Sequence, residues 1–137
     1  MNDSLDVNEW IRYAQMDYDA AKQLSLFRES FMEIVCYHCQ QSAEKILKAY
    51  AIAQGEPLKK THDLETLLEQ CIHFDEQFAA FADICDVLTE YTIVTRYPPD
   101  EVWITENEMS AALKNASEIL EFTKSKLAEL GNKPKSE

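Results

Sequence analysis

Glycine is nearly missing from this chain, with two residues, Gly55 and Gly131, in 137. Proline is scarce too, with three of its four copies in connecting segments and Pro134 in the C-terminal tail. A turn-rich β fold needs many more of both, so the balance favours helices. Two glycines also exclude a phosphate-cradling Gly loop. No apolar run approaches the length of a membrane span. The first residues, MNDSLDVNEW, hold no basic start and no apolar stretch, which predicts no secretory signal. Cytoplasmic residence with reduced thiols is therefore expected for Cys36, Cys39, Cys71 and Cys85. Basic residues are outnumbered, 13 against 25 acidic, for a net charge of −12. Such a surface excludes broad binding to duplex DNA, which needs clustered Lys and Arg.

What is present suits a helical core. Apolar residues make up 46% of the chain and aromatic residues 10%. This length buries a sizeable core without disulfide or metal, so one domain over residues 1–130 is expected. The tail 131–137, GNKPKSE, opens on a helix-stopping Gly and is expected to be disordered.

Hydrophobic spacing predicts five helices. The first spans about Val7 to Leu24, capped by Asp6 or Asn8, with Trp10, Ile11, Ala14, Tyr18 and Ala21 on one face. The second spans about Glu29 to Gln54 and ends at Gly55. The third starts at Thr61 to Asp63 and carries Leu64, Leu67, Leu68 and Cys71. The fourth spans about Asp75 to Thr95, with Phe78, Phe81, Ala82, Cys85 and Leu88 inward, and stops before Pro98-Pro99. The fifth spans about Thr105 to Leu130, with a capping box of Thr105 and Glu108. Long amphipathic helices in short loops imply an all-α, up-and-down antiparallel bundle.

The second helix has two faces. Val35, Cys39, Ala43, Ile46 and Tyr50 form an apolar stripe, bordered by Cys36 and Leu47. His38, Gln41, Lys45 and Lys48 form a polar one. That polar stripe is either a solvated face, with Glu44 and Lys48 as an i,i+4 pair, or one wall of a site. As a site wall, Lys45 and Lys48 would hold phosphate as point charges, and amides at the start of the third helix would help. Lys59, Lys60, His62, Arg96, Tyr97 and Asp100 are the other polar groups near helix ends.

Known chemistries find little support. Cys36 and Cys39 lack a second ligand pair for structural zinc, and the four thiols read as buried. Glu69 and His73 are spaced as in a bundle metal site, but a di-iron centre needs Glu-x-x-His, which is absent. There is no G-x-S-x-G nucleophile turn. No catalytic residue, metal ligand or cofactor is assigned.

Three motifs in order give a resemblance. Cys39 to Tyr50, CQQSAEKILKAY, resembles the "QQAxEKxLKA" helix of HEPN domains. Lys60-Thr61-His62-Asp63-Leu64 resembles their "K-T-H-D-L" element, and Arg96-Tyr97-Pro98 their "R-Y-P" helix ending. The resemblance covers nearly the whole chain. It implies a helical bundle related to the substrate-binding domain of nucleotidyltransferases, a homodimer, and a partnership with a minimal nucleotidyltransferase, often as a toxin–antitoxin pair. It also implies nucleotide binding, here in a cleft lined by His38, Gln41, Lys45, Lys48, His62, Arg96 and Tyr97. A ribonuclease branch of the family carries Arg, four to six residues, then His. Glu101, Val102 and Trp103 occupy that window after Arg96, and neither Arg12 nor Arg28 has a His at that spacing. The acid/base imidazole is missing from its place. The expectation is a non-catalytic module, with a degenerate ribonuclease toxin as the alternative.

Overall fold

The computed structural model describes residues 6–27, 31–92 and 104–132. The described residues form helices only: α1 (Val7–Ser25), α2 (Met32–Ala53), α3 (Leu64–Phe74), a 3-10 segment (Glu76–Phe81), α4 (Ala82–Thr89) and α5 (Glu106–Asn132). The caps follow the side chains. Asp6 and Glu9 form a capping box at α1, with Glu9 N donating to Asp6 Oδ1 at 3.0 Å. Thr105 and Glu108 form a second one at α5. Asp63 caps α3 through the Glu65 amide.

α2 ends in a Schellman turn. Gly55 takes φ +94°, its N–H donates to Ile52 O, and Glu56 N–H donates to Ala51 O. Only glycine adopts that backbone at little cost, which explains why one of the chain's two glycines sits here.

The expected fourth helix is shorter and broken. Phe78 and Phe81 are both buried and three residues apart, which matches the three-residue turn of a 3-10 helix. The α-helix begins only at Ala82, which is exposed rather than inward-facing. It ends at Thr89, before the β-branched run, and Ile93 to Thr95 lie outside the described residues. The start of the expected second helix at Glu29 lies outside them as well. Gly131 does not stop α5, which continues to Asn132; residues 133–137 lie outside the described residues.

Register between helices follows from their contacts. Asp17 of α1 meets His38 and Lys45 of α2, Ser42 Oγ donates to Ala14 O, and Lys48 lies over the Trp10 ring. Rising numbers in α2 meet falling numbers in α1, so the two are antiparallel. α3 and α4 are antiparallel too, with Leu64 N donating to Thr89 Oγ1 at their open end. The α2–α3 connection runs back along α2 before α3 begins. It leaves at Gly55 yet brings His62 beside Gln40 and Glu44. Cys71 of α3 then donates to Leu47 O.

α2 is the central element. Val35, Cys36, Cys39, Ala43, Ile46, Leu47, Ala49 and Tyr50 are all buried, as are Gln40, Ser42, Glu44 and Lys48. One apolar core joins it to α1, α3, the 3-10 segment, α4 and α5. Phe78 anchors that core, with Tyr50 on one side at 4.7 Å and Phe122 on the other at 5.1 Å between ring centroids. Burying each large side chain of this kind contributes roughly 1.5–3 kcal/mol.

Candidate functional site

The polar stripe of α2 is not a solvated face. Two carboxylates organise it, and each accepts from one Lys and one His. The first is Asp17 on α1. Its Oδ1 lies 2.9 Å from His38 Nδ1, and its Oδ2 accepts from Lys45 Nζ at 2.6 Å. Asp17 reaches these partners because Trp10, Ala14, Asp17 and Ala21 follow the three- and four-residue spacing of the α1 face turned to α2. An ion-paired carboxylate only accepts, so His38 Nδ1 carries the proton in this contact.

The second carboxylate is Glu44, on α2 itself. Its Oε2 accepts from Lys48 Nζ at 2.8 Å. Its Oε1 accepts from Gln40 Nε2 at 3.2 Å and meets His62 Nδ1 at 2.9 Å. Glu44 is 3% exposed and Lys48 7%, while the His62 side chain is 67% exposed. Burial by itself raises the Glu44 pKa. Hydrogen bonds from Lys48 and His62, the Lys48 charge and the Gln40 amide outweigh it and hold the carboxyl below its ordinary value. Glu44 is thus a buried, ionised group with donors on both of its oxygens, the condition that makes a buried ion pair tolerable.

Gln40 completes the node. Fully buried, it donates to the His62 carbonyl at 3.1 Å and accepts from Gln41 Nε2 at 2.7 Å. The Gln-Gln pair, Glu44, Lys48 and the His of Lys-Thr-His-Asp-Leu are therefore one connected network, and it pins the α2–α3 connection to α2.

The expected site residues accordingly divide. His38 and Lys45 converge on Asp17. Lys48 and His62 converge on Glu44, and Gln41 joins them through Gln40. Arg96 and Tyr97 lie outside the described residues. Asp17, Gln40 and Trp10 are not among the site residues expected from the sequence. A signal for Asp17 was available, since a carboxylate inside an otherwise apolar helix stripe asks for a buried cation.

The thiols take no part. Cys36, Cys39, Cys71 and Cys85 are buried and free. Burial pushes Cys36, Cys71 and Cys85 up to about 12, and Cys39 is raised by the same cause. They are protonated at neutral pH and unsuited to nucleophilic chemistry. Among the described residues, no three His, Cys, Asp or Glu side chains are placed to hold a metal ion. No described helix is long and apolar enough to cross a membrane.

The model of the HEPN domain matches residues 7–127. The chain belongs to the HEPN family. Two solved structures resemble this HEPN domain along nearly their whole lengths. TT1696 from Thermus thermophilus aligns with a TM-score of 0.69 and 27% identity, over 88% of this chain and 97% of that one. ST0689, an archaeal HEPN homologue, aligns with a TM-score of 0.73 and 24% identity, over 90% of this chain and 98% of that one. No curated protein matches the sequence.

Proposed function

We propose that this HEPN protein is a non-catalytic binding module that pairs with a second copy of itself and with a minimal nucleotidyltransferase. Its ligand-facing surface is the polar side of α2, and the ligand class is a nucleotide, recognised by its phosphates. The observation that supports this reading is that the polar side chains of α2 are held rather than solvated. Asp17 fixes His38 and Lys45, and Glu44 fixes Lys48 and His62. Held side chains lose less entropy when a ligand arrives, which is the advantage of a preorganised site.

The sequence argues against catalysis, because Arg96 lacks the His that the ribonuclease branch carries. The raised thiols point the same way, since they offer no nucleophile at neutral pH. Pairing with another protein draws on the family resemblance and on Leu26 and Phe27, 73% and 63% exposed at the end of α1.

Three measurements test the proposal. Light scattering reads the copy number in solution. Co-purification with a minimal nucleotidyltransferase reads the partnership. Calorimetry with a nucleotide panel, alone and with that partner, reads the ligand. A monomer that neither retains the transferase nor gives heat with any nucleotide overturns the reading. RNA degraded by the purified protein would replace it with the ribonuclease alternative.

A further inference from the structure

The Lys48 side chain is buried, and its carboxylate partner, Glu44, also holds His62 of the α2–α3 connection. The Lys48 ammonium has three hydrogens, and Glu44 Oε2 takes one at 2.8 Å. The Trp10 ring faces it, with the centroid 5.7 Å from Nζ. Trp10 Nε1 is itself buried and has no hydrogen-bond partner among the described residues. Among the described residues, this contact between α1 and α2 thus leaves the Trp10 N–H without an acceptor. Buried donors demand acceptors, and a cation beside an unpartnered N–H fits the oxygens of a phosphate. Such a ligand would take the Lys48 hydrogens that Glu44 leaves over, so the ion pair need not break.

The connection reaches this ion pair through one side chain, since His62 and Lys48 share the Glu44 carboxylate. His62 covers Glu44 Oε1 with its ring, and its carbonyl is tied to Gln40. Residues 56–63 around it form neither helix nor strand. The His62 side chain is 67% exposed, while Glu44 and Lys48 on the other side of the contact are buried. A segment without its own backbone ladder, held through an exposed side chain, belongs to the low-stability end of a structure.

We propose that the α2–α3 connection is a strap that gates Lys48. With His62 seated on Glu44, the ammonium is shut in. With His62 released, Lys48 and Trp10 Nε1 open to a phosphate-bearing ligand. The ligand half rests on the nucleotide reading above; the gate itself does not.

Pulse acetylation of lysines in the full chain, read by mass spectrometry, tests the gate. In His62→Ala, acetylation of Lys48 rises roughly tenfold, the equivalent of losing one hydrogen bond to a charged group. Lys45, held by Asp17 instead, keeps its wild-type rate. His62→Gln, which retains a side-chain donor, stays nearer the wild type. An unchanged Lys48 rate in His62→Ala overturns the strap. So does an equal rise at Lys45, which would mean that the whole bundle has opened. ATP or inorganic pyrophosphate is then added to His62→Ala and to wild type. Protection of Lys48 at lower concentration in the variant supports the gated phosphate site. A Lys48 that opens but is never protected leaves the strap standing and removes the nucleotide reading.

Discussion

His62 and Glu44 meet at 2.9 Å across the α2–α3 connection, an exposed imidazole on a buried carboxylate. Glu44 also takes Lys48 from its own helix and Gln40 from the turn before. One side chain therefore neutralises a buried cation, satisfies a buried amide and docks a loop. This explains why the Gln-Gln, Glu-Lys and Thr-His-Asp elements occur together in one chain, since each supplies part of the same node.

Removing Glu44 should be among the most damaging single changes here. Glu44→Ala leaves the Lys48 ammonium buried and unpaired, a loss of about 3–5 kcal/mol for a broken buried pair. Glu44→Gln keeps the shape and one acceptor and should cost less. The pH dependence has a definite sign. The folded Glu44 pKa lies below its ordinary 4.5, so the unfolded chain binds more protons as pH falls. The stabilisation is fully present above about 4.5 and is lost as pH drops through the lower folded value. Urea unfolding from pH 3 to 7 should show a steeper acid loss in wild type than in Glu44→Gln. Parallel profiles would refute the coupling.

Asp17 is the corresponding clamp between α1 and α2. Asp17→Asn removes the charge that holds Lys45 at 2.6 Å and His38 at 2.9 Å. The clamp is partly exposed at Lys45 and His38, so solvent screening keeps the cost to about 1 kcal/mol. In a cycle of Asp17→Asn with Lys45→Met, the double variant should be less destabilised than the sum of the singles, by about 0.5 kcal/mol or more. Strict additivity would show that the pair contributes nothing.

Much of the scaffold was legible in the sequence. Helix α1, the Gly55 stop and the Thr105–Glu108 box are local effects that spacing and side-chain chemistry dictate; the sequence leaves Asp6 and Asn8 both open as the α1 cap, and the structure uses Asp6. The 3-10 segment was less visible, because Phe78 and Phe81 satisfy either period over so few residues. The polar stripe was the harder problem. Helical spacing placed His38, Gln41, Lys45 and Lys48 on one side, yet spacing says nothing of what covers that side. The covering groups come from Asp17, 21 residues before His38, and from His62, 18 residues after Glu44. Such partners depend on how the chain folds back, most of all on a connection that returns along α2.

The four thiols give a chemical test of the core. Each is buried, and burial pushes Cys36, Cys71 and Cys85 up to about 12. The thiolate is the reactive form, so a disulfide reagent at pH 8 should react slowly with all four in the native protein. In denaturant all four should react within the mixing time. A fast phase of even one equivalent in the native state would show that one of the helices carrying them opens locally.

Gly55 isolates a single backbone effect. Its φ of +94° is one that L side chains rarely adopt, and an added Cβ would meet nothing within 4 Å. Gly55→Ala therefore changes no contact, and its cost is the strained backbone alone, about 1 kcal/mol. For a domain of this size that lowers Tm by roughly 3–5 °C. Asn tolerates this region better, so Gly55→Asn should fall between the two. The turn also sets where the strap leaves α2, because Glu56 N–H is held on Ala51 O there. If the strap docks independently of that exit, Gly55→Ala should leave the acetylation rate of Lys48 unchanged while lowering Tm. A rise in Lys48 acetylation together with the fall in Tm would instead show that the Schellman turn and the His62 contact form one cooperative unit.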